Sequence, residues 1–544
     1  MDEKNKECAY FSLTEPQKSI WFTQQLSESM NHSVTVDVSF DGKQDMFAAS
    51  TAISLLYKHN QVLRTEVTES DGVPMQFFRD YDPKSMYGSV REFPSAAAYS
   101  AFAAGYAEQR MDETLCEIIA FSYDSKYGFL IKGSHMLIDG VSAILLLARV
   151  KKYYDAVTMN KEIDEPEYRY QEFIEQEAKY YAGSLQFLKD REFWQDKLSV
   201  ITEPTRIARG ARHSLVSKRF SYPLASDFEE RLKGYCNRSG VSEFAVLLSC
   251  FARCVSEHVR SKPTSILCAV MRSRKGAVEE ASPGMYVNTI PVVFDGVFER
   301  ASEDTAAKAI KTITKDFIKA AKHFRYSWNH ILADYYQIQG QNQAPSDIMF
   351  SYQNFGSFDT SQFVSESFSH TWYSPGTQAD SLAFHARREP GGSLQFVLDY
   401  RAEVFSQEDI SIFCGHLITM LDSLFANPDK RMAELEMLGD AERETILGAF
   451  NDTCAAYPRD KTIVELFEEQ AARTPDNTAL KFGDEIMTYA ELNRKANGLA
   501  MHLRRLGVHT EDRVAILAER GMEMIVGIYG ILKAGGTYVP IDPS

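Results

Sequence analysis

The chain has 544 residues, with 75 acidic against 59 basic side chains and a formal charge of -16. That balance excludes attraction to nucleic acid or anionic lipid through net charge. With 44% hydrophobic residues, 18 prolines and 30 glycines, the whole length is expected to fold, with room for three or four units of about 150 residues.

The start, MDEKNKECAY, is charged and is not a signal peptide. Apolar runs such as AILLLA at 143–148 fall short of the ~20 residues that a bilayer span needs, so no membrane partner and a cytoplasmic location are expected. Residues 13–27 read as a helix opened by Thr14 with Pro16 in its first turn. SVTVDVSF at 33–40 alternates like a half-buried strand, and MFAASTAISLLYKHN returns to helical spacing. Two β-rich runs around a polar turn at 124–126 predict a hairpin that delivers His135 to a strand end, followed by a helix packed through Val141, Ile144, Leu145 and Ala148.

Residues 160–200 are charged and aromatic, and the aperiodic stretch 201–213 suggests a boundary. A second α/β block to about 437 repeats the order: a strand at 214–222, a helix at 242–258, a strand at 264–271, a helix at 301–322 and hairpin-like strands near 380–400. A polar connector follows, and a third composition begins near 461.

Eight cysteines are scattered without secretory context, which argues against a disulfide framework. Cys250 and Cys254 share a helix face, but His258 is the single further ligand nearby, so buried apolar cysteines and no metal are predicted. PGGSL at 390–394 lies between two strand-like runs and reads as a hairpin turn. KAGG at 533–536 is too short for a nucleotide phosphate loop.

The chemistry-bearing stretch is GSHMLIDGVS at 133–142. Taken alone, a histidine near a strand end reads first as a hydrogen-bonded structural residue. Its company favours a site. An aspartate four residues on can fix a tautomer or clamp the loop, and Gly140 can supply the positive φ of a sharp turn.

SHMLIDG (134–140) resembles the HHxxxDG motif of condensation domains in nonribosomal peptide synthetases. Five more segments are similar to that family's motifs, in the family's order: LTEPQKSIWFTQQL (13–26), KHNQVLRTEV (58–67), YRYQEFIEQE (168–177), PGMYVNTIP (283–291) and DIMFSYQNF (347–355). FNDTCAAYP (450–458), ELFEEQAARTPDNTAL, MTYAELN and LKAGGTYVPIDPS resemble the linker and the beginning of an adenylation domain, whose phosphate loop and catalytic lysine would lie beyond Ser544. The resemblance thus implies a piece of a longer protein, with no adenylation activity of its own.

What the resemblance implies is an α/β fold: two chloramphenicol-acetyltransferase-like lobes, residues 1–200 and 201–437, forming a V around a central tunnel. A linker at 438–460 and the N-terminal part of an adenylation domain at 461–544 would follow. Donor and acceptor carrier proteins, or acyl-CoA as donor, would present acyl and aminoacyl thioesters on phosphopantetheine arms, with no cofactor covalently bound to this chain. The expected reaction is amide formation by a starter domain that N-acylates an amino acid, because the first motif begins about a dozen residues from Met1. An internal peptide-bond-forming domain and a silent binding platform are the alternatives.

An α-amino group titrates near 8, so deprotonating it at neutral pH costs only about 1–2 kcal/mol, while aligning tethered reactants supplies several. His135 is therefore expected to orient the amine and take its proton. Asp139 would be a structural anchor paired with Arg272, or with Arg274 if the loop is two residues longer than usual. Gly140 would permit the turn and turn an N–H toward the oxyanion. Ser134 stands where the family has its first histidine. Ser142 and Asn288, and Tyr352, Gln353 and Asn354 on the donor side, would line the tunnel; capping or strand-end hydrogen bonds are the structural alternative for Ser142 and Asn288.

Overall fold

The computed structural model describes residues 9–542 except 28, 112–113, 208–213, 260–262, 271–273, 275, 299–303, 355–367 and 390–391. It divides into two compact units, Met1–Arg443 and Glu444–Ser544.

The first unit is built on two mixed sheets, one per lobe. A five-stranded sheet runs in the order Phe368–Tyr373, Ser33–Asp41, Lys126–Ser134, Cys116–Tyr123, Ser89–Phe93. Alternation in SVTVDVSF suggests one wet face, but every residue from Ser33 to Phe40 is buried. Val34, Val36, Val38 and Phe40 face a core shared with the helices Met46–His59 and Gly140–Thr158. The polar face is covered too: Asp37 accepts hydrogen bonds from Tyr99 (2.6 Å) on the helix Ala96–Glu108 and from Tyr373 (2.7 Å) on the edge strand. Alternation here separates apolar from polar burial rather than inside from outside.

That edge strand, Phe368–Tyr373, comes from the C-terminal half of the chain and pairs antiparallel with Ser33–Asp41. The division into residues 1–200 and 201–437 is therefore crossed by one strand exchanged between halves. The second sheet runs Asn288–Phe294, Thr264–Val270, Ile348–Asn354, Leu382–Arg388, Leu394–Arg401, Ser217–Tyr222. One face packs on the helices Glu243–His258 and Gln407–Ala426 through Phe251, Phe350, Phe384 and Phe413. Gln407–Ala426 is, against the sequence expectation, long and apolar enough by itself to cross a membrane. Its Ile410, Phe413, Leu417, Met420, Leu421 and Leu424 are buried in this core, which accounts for the composition. Cys250 and Cys254 are buried free thiols on the same core helix.

Between the strands Leu382–Arg388 and Leu394–Arg401 a hydrogen-bonded turn closes the hairpin, with Gly392 at φ +88 and the Glu389 N–H donating to the Ser393 carbonyl at 2.8 Å. Pro390 and Gly391 of that turn lie outside the described residues.

The second unit contains the helix Ile463–Arg473, a hairpin of Thr478–Phe482 with Glu485–Thr488, and the helix Tyr489–Arg505. A parallel pair, Arg513–Leu517 with Thr537–Ile541, is joined through the helix Met522–Ala534. Thr462 and Thr488 start their helices as capping boxes with Glu465 and Glu491. Gly535, left-handed at φ +95, ends the helix Met522–Ala534, so KAGG is a helix terminus.

Candidate active site

The strand Lys126–Ser134 runs antiparallel to Ser33–Asp41, with Ser134 opposite Ser33. One step further the same register sets His135 opposite His32, and the His135 N–H donates to the His32 carbonyl at 2.8 Å. The chain then turns sharply: Leu137 N–H donates to the Ser134 carbonyl at 2.8 Å, and the Ser134 hydroxyl accepts from Met136 N–H at 3.2 Å. Leu137 and Ile138 anchor the turn in the first core. Gln17, from the first helix Glu15–Leu26, donates to the Met136 carbonyl at 2.8 Å.

Asp139 ends the turn by capping the helix Gly140–Thr158, accepting from Ser142 N–H at 2.7 Å. Its carboxylate is fully buried, which demands compensation. Arg274 supplies it at 2.9 Å, with its guanidinium over the Tyr286 ring at 4.2 Å. Arg274 is itself held by the Glu279 and Ser282 carbonyls. Around the same point Asp139 N–H donates to the Gly284 carbonyl (3.2 Å) and Tyr286 N–H to the Asp139 carboxylate (3.3 Å). Gly284 can approach this closely because it has no side chain; a Cβ there would stand 2.2 Å from the Tyr170 ring. The turn is thus clamped between lobes by Asp139, and the histidine is left out of that clamp.

His135 is half-buried, and its Nδ1 is buried without a hydrogen-bond partner. Burial holds its pKa below the ordinary value, opposed by the Asp139 carboxylate and a backbone contact at Ile138. A neutral imidazole at neutral pH follows, the form a base requires. A cleft of about 520 Å³ opens beside Met136 and Leu137, bordered by Trp21, Gln24, Arg64 and Arg110. Across the Asp139 clamp, Phe173, Tyr180, Tyr286 and Phe324 enclose a smaller aromatic pocket with the Glu177 carboxyl, which burial pushes up to about 8.

The model of the family described as "Condensation domain" matches residues 9–447, and that of the family described as "AMP-binding enzyme" matches residues 467–544. The chain belongs to the condensation domain family.

This condensation domain and its following segment are 27% identical to surfactin synthase subunit 1 of Bacillus subtilis (strain 168) over 560 residues, covering 99% of this chain and 15% of that relative. The chain therefore spans about 15% of the length of that curated relative. Among solved structures it is similar to the nonribosomal peptide synthetase FmoA3 bound to α-methyl-L-serine-AMP, with a TM-score of 0.74 at 20% identity, covering 100% of this chain and 59% of that one. It is also similar to the first condensation domain of the calcium-dependent antibiotic synthetase in complex with a substrate analogue, with a TM-score of 0.69 at 17% identity over 80% of this chain and 100% of that one. These likenesses establish the two-lobed condensation fold.

Within that fold the residues singled out from the sequence divide sharply. Arg272 lies outside the described residues, and Arg274 makes the ion pair with Asp139. Gly140 is the first residue of its helix and does not adopt the left-handed backbone expected of it. Its N–H is among the first-turn donors that a helix leaves without an intrahelical partner.

Ser142 does not line a passage. Its hydroxyl is fully buried in the clamp, 2.7 Å from both Asp139 and the Gly284 carbonyl, and it accepts from Gly284 N–H and Arg274. Asn288 borders the aromatic pocket, but its amide is consumed in holding backbone at Phe324, Tyr326, Thr289 and Trp328.

Tyr352 and Gln353 are neighbours on the strand Ile348–Asn354 and point to opposite faces. Tyr352 bonds Glu243 on the helical side at 3.0 Å, whereas Gln353 accepts from Arg387 at 2.9 Å on the other side. Only the Gln353 face is free of the core helices, so the three residues do not form one wall; Asn354, half-buried, ends the strand.

Four residues of the arrangement escaped the sequence reading: Gln17, Tyr170, Gly284 and His32. The first three sit inside quoted motifs, so their company was the available signal. Tyr170 donates to the Met285 carbonyl at 2.8 Å and thereby holds the segment that meets Asp139. No motif marked His32.

Proposed function

We propose that this condensation domain joins a donor acyl or peptidyl thioester to the amine of a carrier-bound aminoacyl thioester. The amine nitrogen attacks the thioester carbonyl carbon, the C–S bond breaks, and the proton shed by nitrogen passes to His135 and on to the departing thiolate. Phosphopantetheine arms on donor and acceptor carrier proteins, or acyl-CoA on the donor side, would bring the thioesters to the turn. The observation that carries the reading is the division of labour at residues 135–139. Arg274, Ser142 and the Tyr286 N–H absorb the Asp139 carboxylate, and the half-buried His135 ring remains available.

The mechanism asks little basicity of His135. An α-ammonium near pKa 8 loses its proton at pH 7 for about 1–2 kcal/mol, so alignment of the two tethered partners carries most of the acceleration. His135 Nε2 would accept a hydrogen bond from the amine and then its proton. The Gly140 N–H, at the positive end of a helix, would face the developing oxyanion.

The test supplies an aminoacyl carrier with either an acyl-CoA or acyl carrier donor, or a peptidyl carrier, and follows amide product by mass spectrometry. His135→Ala should lower turnover by about 10²–10³-fold with the melting temperature little changed. Product from acyl donors alone would identify the N-acylating starter reading, and product from peptidyl donors the internal one. Undiminished turnover in the variant excludes His135 from the chemistry, and no product with any donor favours a binding platform. Because burial lowers the His135 pKa, wild-type turnover should fall on the acid side with a midpoint below the ordinary histidine value of about 6.5.

A further inference from the structure

We infer that His32 is a second imidazole of this site, a positioning residue whose Nε2 accepts the Nδ1–H of His135 and so leaves His135 Nε2 as the basic nitrogen. The inference rests on the proposed function of His135 and extends it to a residue outside every family motif quoted above.

The ladder between Ser33–Asp41 and Lys126–Ser134 ends at Ser33 opposite Ser134, and just beyond it a single 2.8 Å backbone bond from His135 N–H to the His32 carbonyl keeps the two histidines side by side. Directly opposed residues of an antiparallel pair project to the same face of the sheet, with Cβ atoms about 4.5–5.5 Å apart. Each ring is half-buried, and each has one buried nitrogen without a well-formed hydrogen bond, Nε2 of His32 and Nδ1 of His135, the Ile138 backbone being the other polar group near the His135 ring. A buried polar atom left unpaired is destabilising, and native structures keep few of them. Two such atoms on facing residues, one able to donate and the other to accept, explain one another.

The usual partner for a catalytic imidazole is a carboxylate behind it. Here Asp139 is committed to Arg274, to Ser142 and to the Tyr286 N–H. The Ser134 hydroxyl accepts from Met136 N–H. His32 is the remaining polar side chain on the His135 side of the ladder. The two nitrogens are not yet in direct bonding contact in this structure, as catalytic hydrogen bonds often are not before substrate arrives.

The proton inventory then balances. The amine's proton arrives at His135 Nε2, the resulting imidazolium donates its Nδ1–H to neutral His32, and the proton leaves from Nε2 to the thiolate. His32 must never compete for that proton. Burial, with the charge of His135 second, lowers its pKa to about 4, which keeps it a neutral acceptor while His135 cycles. The charged groups around the pair are Asp139 and, behind it, Arg274.

Carbon-13 labelling at Cε1 of histidine lets each of the twelve histidines be followed by NMR in the intact chain, with His32→Ala and His135→Ala assigning the two signals. Between about pH 5 and 8 the His32 signal should stay neutral while His135 titrates. His32→Leu removes the acceptor, destabilises the imidazolium and should move the His135 midpoint down by about one unit. His32→Gln, whose Oε1 accepts, should keep it near the wild-type value. The acid limb of the amide-forming rate should move with the same sign in H32L and return in H32Q.

An unmoved His135 midpoint in H32L, or a His32 signal that titrates in the wild type, overturns the inference. So does a loss of rate in H32L without displacement of the limb, since that is a packing effect. Should H32L not fold, His32→Ala serves the same titration. If the wild type forms no amide, the proposed function fails while the titration still decides the histidine pair.

Discussion

Two of the places where histidine, aspartate and arginine meet in this molecule have opposite results. At the turn 135–139, Arg274 takes Asp139 away from the histidine, and His135 keeps a ring nitrogen without a protein partner. On the second sheet, His385 lies 3.4 Å from Asp399 through Nε2 and 3.4 Å from Gln353 through Nδ1, while Arg219 grips both carboxylate oxygens at 2.8 and 2.7 Å. Arg219 also donates to the Trp372 carbonyl on the strand exchanged into the first sheet. The second trio holds the crossing strand and uses up its imidazole. The first holds the crossing of lobes with the carboxylate alone and spares the imidazole. Residue types do not separate a site from a brace; the distribution of partners does.

The largest expected effect that tests this contrast is at Arg274. Its side chain is 5% exposed and that of Asp139 fully buried. Arg274→Met should therefore leave an uncompensated charge and lower stability by about 3–5 kcal/mol in urea unfolding, with activity lost as the turn loosens. Asp139→Asn combined with Arg274→Met should recover much of that stability. A single Arg274→Met variant as stable as wild type would mean that the clamp is not electrostatic and that Asp139 is held by its backbone partners.

A smaller effect, with a pH signature, belongs to the second trio. Arg219 and His385 hold the Asp399 carboxyl far below its ordinary range against a burial effect that, taken alone, is the largest influence on it and would raise it. A carboxyl depressed in the folded state contributes stability that is complete above its unfolded value of about 4 and is lost as pH falls through the folded value. Wild-type stability should accordingly decline on acidification below about pH 4, and Asp399→Asn should remove that portion of the slope. His385→Ala should destabilise the chain while leaving the midpoint of the acid limb of turnover in place. Displacement of that limb would bring the second trio into the chemistry and end the contrast.

His135 and Asp139 were legible because one short segment carries a titratable ring, a capping carboxylate and a helix start. Arg274 over Arg272 depends on how the chain leaves the strand Thr264–Val270, where periodicity carries no information. Ser142 and Asn288 were recognisable as polar residues near the motifs, but whether they face a passage or the protein is a tertiary fact. Opposite facing of Tyr352 and Gln353 did follow from strand alternation, which assigning both to one wall overlooked. The strand Phe368–Tyr373 pairs with residues more than 300 positions earlier, at Ser33–Asp41, and no local pattern reports that. His32 is illegible for the same reason: its importance exists only through the register of a ladder formed 100 residues later.

Ser134 gives the smallest effect and the sharpest question, because a histidine there would restore the family's motif. The side chain is buried at 2% exposure at the end of the strand, opposite Ser33, and alternation turns it to the face opposite that of Gly133 and Val34, away from the His32–His135 pair. Its hydroxyl also holds Met136 N–H at 3.2 Å, a bond an imidazole there would not reproduce without moving the turn. Ser134→His should thus act as overpacking, with a loss of about 1–3 kcal/mol and no gain in turnover. If turnover instead rose while His32→Leu in that background became silent, a restored motif histidine would be doing what His32 does now, reaching the same imidazole from the other side of the strand.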